Sequence, residues 1–319
     1  LNFIERYDPE LVLVLSGDHI YNMDYKELIA FHRARKADLT IAMQEVPIEE
    51  AHRFGVAKLD GDMRMIDFVE KSKTPPSNIA SLGIYVFDRK FLDRVLREDA
   101  ADKTSSHDFG KNVIPNNMKK ARVYCHIFKG YWRDVGTLDS YWTTHQEILD
   151  PASDLKLDSW NVRTNLDLED LRNMLPMKVS RGARVINSII SPGCVVEGEV
   201  VDSILAPGVR VHPGTKIIKS ILLNNVEVGE GSEMEYAILD KQTKIGRKCR
   251  IGFGESVPNI EAPQMLSSGL TVFGKKSMLP DRCFVGKNCI IHPMVQPSDY
   301  PGETIEAGGT IRPPRKHKI

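Results

Sequence analysis

The chain has 319 residues, 41% of them hydrophobic and 27% charged, and its 43 Lys plus Arg are balanced by 43 Asp plus Glu. Such a length and mixture suit a globular chain of about two domains. Zero net charge gives no overall field for nucleic acid or an anionic membrane, and no apolar run approaches the roughly 20 residues needed to span a bilayer. The opening LNFIERYDPE lacks the pattern of a signal peptide. Cys125, Cys194, Cys249, Cys283 and Cys289 form no CxxC pair and are odd in number, so buried, reduced thiols in a cytoplasmic setting are expected rather than a disulfide or zinc framework.

Leu11–Leu15 is an unbroken apolar run, the pattern of a strand buried on both faces of a largely parallel sheet. Asp18 follows just past it, at the carboxyl end of the strand, where open α/β sheets bind ligands. An acid there is a candidate metal ligand, although a cap or turn role explains it equally well. Asp24 caps a helix running to Arg35, with Glu27 spaced for a capping box and Leu28, Ile29 and Phe31 on one face. Asp38–Val46 reads as the next strand. Phe54–Leu59 and Met63–Val69 flank Asp60-Gly61, a strong hairpin signal, and the hairpin delivers Glu70 and Lys71 at its end.

Ser81–Phe87 is another strand, and Asp88 opens a helix to about Arg97. Ser105–Gly110 leads to a second helix near Lys111. Val123–Phe128 is a strand, and Gly130–Thr137 runs into a helix containing Tyr141 and Trp142. Strands alternating with helices over residues 1–150 mean an α/β domain, its sheet made mixed by the hairpin. Asp18 and Asp134 could share one Mg²⁺, a cation that takes one or two carboxylates plus phosphate oxygens, and Lys71 could offer a point charge to a phosphate. Together they suit phosphoryl or nucleotidyl transfer; the plainer alternative for Lys71 is a solvated surface lysine.

Residues 151–177 are polar and irregular and read as a linker, with a short helix near Leu168–Met174. A repeat fills residues 178–319. Asn187-Ser188-Ile189-Ile190, Asp202-Ser203-Ile204-Leu205, Lys219-Ser220-Ile221-Leu222 and Tyr236-Ala237-Ile238-Leu239 recur at steps of 15, 17 and 17. Short strands at this period, with aliphatics six apart, predict a left-handed parallel β-helix of hexapeptide repeats. Gly254–Ser268 reads as an excursion from it, and the basic tail RPPRKHKI as frayed. Such helices also carry acyltransferases, for which His212 and His292 are the candidate histidines, but both precede a proline and suit turns.

The motifs SGDHIYNMDY (16–25), FGVAKLD (54–60), DFVEK (67–71), SLGIYVF (81–87), SSHDFGKNVIP (105–115) and YWRDVGTLDSYW (131–142) resemble the glucose-1-phosphate adenylyltransferases over nearly the whole chain. The wording of HDFG and YWRDVGT favours the adenylyl enzymes over the uridylyl, thymidylyl and guanylyl ones. The resemblance implies a Rossmann-like nucleotidyltransferase domain, and ADP-glucose and pyrophosphate formed from ATP and glucose 1-phosphate for glycogen or starch synthesis.

It further implies that Asp18 and Asp134 hold the catalytic Mg²⁺, that Lys71 binds the sugar phosphate, and that Glu70 binds the sugar hydroxyls. Gly55, Ser81, Tyr85, Asp108, Phe109 and Trp132 match positions around the sugar phosphate, with core packing an even alternative for Phe109 and Trp132. His19 and His107 are expected to make structural hydrogen bonds, because attack by an anionic phosphate needs no general base. A homotetramer, or a hetero-oligomer with a homologous subunit, and allosteric sites at the domain junction are likewise implied.

Members of the family also carry a glycine-rich GGxGxRL-type loop that cradles the ATP triphosphate, and residues 1–319 contain no such motif. The expectation is therefore a chain lacking the amino-terminal part of its nucleotidyltransferase domain, with its activity in isolation left open. The alternative from another class is a catalytically silent regulatory or structural subunit.

Overall fold

The computed structural model describes residues 2–162 and 173–314, with side chains from Ile4 onward. The helix expected near Leu168–Met174 falls largely outside them. Packing separates two compact units, one up to Asp134 and one from Val135.

The first unit contains α1 (Asn2–Tyr7), β1 (Leu11–Val14), β2 (His19–Tyr21), α2 (Tyr25–Ala34), β3 (Leu39–Glu45), β4 (Gly55–Leu59), β5 (Met65–Glu70), β6 (Ile79–Asp88), α3 (Arg89–Ala101), α4 (Ile114–Asn117), β7 (Val123–Ile127) and β8 (Trp132–Asp134). A π-helical turn, Phe109–Val113, precedes α4. The sheet runs β5-β4-β6-β3-β7, with β1 also against β6. It is mixed: β3 and β7 are parallel, whereas β6 is antiparallel to β1, β3 and β4.

Asp24 and Asp88 cap α2 and α3, accepting from the backbone N–H of Lys26 and Phe91 (both 2.9 Å). In the hairpin turn Asp60 Oδ1 accepts from the N–H groups of Asp62 and Arg64, and Met63, not Gly61, takes the left-handed conformation. One expectation is corrected. The β1 residues are only half-buried and Leu15 is exposed, because β1 pairs with β6 alone among the described residues and so lies at a sheet edge. The doubly buried strand is β3, whose first five residues are buried, whereas Leu82–Val86 of β6 alternates buried and half-buried residues.

The second unit begins with α5 (Leu138–Leu149), capped by Thr137. Its Leu138, Tyr141 and Trp142 pack on Ile221, Ile238, Leu266 and Leu270 of the solenoid, and the Trp142 indole N–H donates to Lys219 O (2.8 Å). Beyond it, short strands stack in register into three parallel sheets that close a β-helix. Ile189, Ile204, Ile221 and Ile238 are successive rungs, so the 15- and 17-residue steps each make one coil. Inside the solenoid, Leu205, Leu222 and Leu239 form one buried column and Val196, Val211, Val228 and Ile245 another.

A hydroxyl column explains the serine of the repeat. Ser188, Ser203 and Ser220 each donate to the carbonyl two residues earlier (2.7 Å) and accept the N–H of Ser203, Ser220 and Ala237 in the next coil (3.0–3.2 Å). Ala237, without a hydroxyl, ends the column. Outside, Arg184, Glu199, Lys216, Glu233 and Arg250 alternate in sign on consecutive rungs, which favours the correct register over a slipped one. Burial pushes the Cys283 and Cys289 thiols up to about 11, so they are protonated apolar filler near neutrality.

Ser220→Ala is expected to cost about 1–3 kcal/mol, because Ser220 is fully buried and its loss leaves the Ala237 N–H without its acceptor. Chemical denaturation followed by circular dichroism reads this; an unshifted midpoint would deny the column a stabilising role.

Candidate active site

Two elements that the sequence pattern does not announce bring the acidic residues together. β2 and β8, three residues each, form an antiparallel ribbon in which His19 faces Asp134, Ile20 faces Arg133 and Tyr21 faces Trp132. Asp18 immediately precedes the ribbon's first rung, so both carboxylates stand at the same end of it. Asp18 is exposed; its Oδ1 accepts from Ser16 Oγ (2.8 Å) and lies 3.6 Å from His19 Nε2. Asp134 is half-buried and engaged with neighbouring groups.

The His19 ring braces this end. Its Nδ1 lies 2.9 Å from Leu82 O and 3.3 Å from the Trp132 indole nitrogen, and the two rings meet edge to face at 5.1 Å. Gly83, at φ +66°, lets β6 pass close to Ser16 and His19. Trp132 then packs on Phe54 (5.3 Å between ring centres), and Phe54 O accepts from the Lys71 N–H (3.0 Å). One chain of contacts therefore joins the two-carboxylate ribbon to the end of the hairpin.

At that end Gly55 of β4 pairs with Glu70 of β5. Lys71 is exposed and holds φ +47°, a left-handed turn conformation that Lys36 and other turn residues of the chain share. Glu70 is half-buried. Loss of water raises its carboxyl above the ordinary range, with Asp108 adding to this and Lys71 and Lys111 opposing it. Asp108 caps the π-helical turn by accepting from the Lys111 N–H (2.8 Å), and the Phe109 ring stacks on Tyr85 at 5.6 Å. Burial raises the Tyr85 phenol, with the charges of Glu70 and Asp108 adding to the rise and the nearby Ser81 hydroxyl opposing it.

The Gly55 and Gly110 backbones press on Glu70 from two sides. An ideal Cβ on either would stand 2.4 Å from Glu70 Oε2. Gly110 is not singled out in the sequence, where its one signal is a glycine opening a helical turn beside Asp108. His107 Nδ1 contacts Asp99 (2.8 Å), and His212 Nε2 contacts Glu227 (2.9 Å) on the solenoid.

No group of three or more His, Cys, Asp or Glu side chains gathers as a metal cage among the described residues. Two carboxylates at one rim fit instead a hard cation that takes its remaining ligands from water and phosphate. Nor is any described helix long and apolar enough to cross a membrane.

A mixed α/β sheet with an acidic rim, followed by a hexapeptide solenoid, defines a class, and family models match both parts. The model described as "Nucleotidyl transferase" covers residues 1–151, and the one described as "GlmU-like, C-terminal hexapeptide" covers residues 174–273. The solenoid is thus a left-handed β-helix of hexapeptide repeats attached to a nucleotidyltransferase domain.

Similar proteins narrow the class. A glucose-1-phosphate adenylyltransferase of Acetivibrio thermocellus is 35% identical over 98% of this chain and 72% of its own length. Those of Thermotoga maritima (44%, over 98% and 73%) and Fervidobacterium nodosum (42%, over 91% and 69%) are similar too. The chain belongs to the glucose-1-phosphate adenylyltransferase family.

Proposed function

We propose that this chain supplies the glucose 1-phosphate and metal side of a site that forms ADP-glucose and pyrophosphate from ATP and glucose 1-phosphate. The observation that carries the reading is the placement of Asp18 and Asp134 at one end of the β2–β8 ribbon, joined through Trp132 and Phe54 to Glu70 and Lys71. In it Lys71 places its ammonium on the sugar phosphate, whose own oxygen then attacks the α-phosphorus of ATP with no general base required. Glu70 and Asp108 accept sugar hydroxyls, and Trp132, Phe109 and Tyr85 offer flat apolar surface to the pyranose. Gly55 lets the backbone come close, and Ser81 orients Tyr85.

Asp18 and Asp134 would hold a divalent ion, Mg²⁺ by its preference for carboxylate and phosphate oxygen, and such an ion neutralises charge that develops on the phosphates. A reducing, cytoplasmic setting is supported by five buried, unpaired cysteines. Association with a further subunit, as in a homotetramer, fits Val257, Ile260 and Met265, which are apolar and exposed on the loop that leaves the solenoid.

Lys71→Ala tests the reading. Losing one charge-assisted contact should raise the KM and Kd for glucose 1-phosphate about 10–100-fold with little change in kcat. Calorimetric titration reads the Kd without turnover, and an unchanged Kd would remove Lys71 from the phosphate.

A further inference from the structure

The glycines on either side of Glu70 are not explained by backbone conformation. Neither Gly55 nor Gly110 has a positive φ; one lies in a strand and the other in a helical turn, where glycine costs about 0.5–1 kcal/mol relative to alanine. What they provide is space. A Cβ on Gly110 would meet Glu70 Oε2 at 2.4 Å, Cδ at 2.8 Å and Cγ at 3.3 Å, so its three nearest neighbours all belong to one side chain. A Cβ on Gly55 would meet the same Oε2 at 2.4 Å and the Phe68 ring at 2.5 Å. One carboxylate oxygen therefore rests against two bare backbones, with the Phe68 ring beside them.

We propose that Gly55 and Gly110 are positioning residues that set the aim of the Glu70 carboxylate, and so determine which sugar hydroxyl the site recognises. This rests on the sugar-phosphate reading above. A methyl group at position 110 meets the Glu70 carboxylate first, and that group can yield because it is the far end of a flexible side chain. The Oε2 contact with Gly55 and the adjoining Phe68 ring leave no retreat on the β4 side. A displaced carboxylate still carries its charge but no longer meets its hydroxyl at hydrogen-bond distance. The effect is thus on recognition of one hydroxyl, with the phosphate contact of Lys71 untouched.

The experiment is calorimetric titration of the full chain with glucose 1-phosphate and with a panel of monodeoxyglucose 1-phosphates, on the unsubstituted protein, Gly110→Ala, Glu70→Ala and the double variant. Gly110→Ala should bind glucose 1-phosphate about 10–100-fold more weakly, the loss of one hydrogen bond to a charged group, with an unchanged or raised melting temperature. The deoxy analogue that lacks the hydroxyl read by Glu70 should bind Gly110→Ala and the unsubstituted protein alike.

In the Glu70→Ala background Gly110→Ala should cost little more, because the three atoms nearest its methyl group are gone. Equal weakening toward every analogue, or an added loss in the double variant, would overturn the proposal. Unaltered binding by Gly110→Ala would sink it while leaving the sugar-phosphate reading standing. An unsubstituted chain that binds no glucose 1-phosphate would sink both. Should Gly110→Ala fail to fold, the double variant, freed of the collision, must fold; its failure too would overturn the assignment.

Discussion

Asp134→Asn is expected to lower ADP-glucose formation about 10³-fold, the rate equivalent of the several kcal/mol that a metal ion contributes by neutralising charge in the transition state. The substitution keeps the shape of the side chain and leaves the β2–β8 pairing to the backbone, so the fold should survive with only a small change in melting temperature. Asp18→Asn should behave similarly. The double variant should lose far less than the product of the two, since both carboxylates serve one ion. Binding of Mn²⁺ in the presence of glucose 1-phosphate, followed by electron paramagnetic resonance, gives a readout independent of turnover. A variant within tenfold of the unsubstituted rate, or one that holds Mn²⁺ undiminished, would remove Asp134 from the metal.

Phe87→Ala should destabilise the first unit by about 3–5 kcal/mol, the cost of emptying a fully buried aromatic site that its surroundings only partly refill. Phe87 stands among Tyr85, Phe91 and Phe109 at ring-centre distances of 5.6–6.4 Å, so it joins β6 and α3 to the turn that carries Asp108 and Gly110. Weaker glucose 1-phosphate binding should accompany the loss, because Phe109 would keep its stack on Tyr85 but lose its support beneath. Urea denaturation beside calorimetric titration measures both effects. A stability change under about 1 kcal/mol would mean that the cluster repacks around the gap.

Much of the architecture is legible from residue order because it rests on local periodicity. Repeating x-Ser-Ile-Leu at steps of 15 and 17 can be satisfied only if successive coils bury the aliphatics against one another, and the column Ile190, Leu205, Leu222 and Leu239 does so. Asp24 and Asp88 announce their helices through cap chemistry, and Asp60-Gly61 announces its hairpin. The motifs around Asp18, Lys71, Asp108 and Asp134 carry the family resemblance. The misreading of Leu11–Leu15 has a physical cause: an apolar run reports affinity for a core, not how many partners the strand will have, and β1 has one among the described residues.

The meeting of the site residues was decided by tertiary structure. Strands of three residues, such as β2 and β8, are too short to show a period, so nothing local says that His19 will face Asp134. The left-handed turn at Lys71 and the two glycines against Glu70 likewise follow from long-range pairing. Sequence by itself determined which elements form and which side chains could do the chemistry, because propensity, capping and periodicity act over a few residues. Only the folded chain decided which of them share one rim, because that depends on pairings between segments far apart in the sequence, whose free energy appears when both are in place.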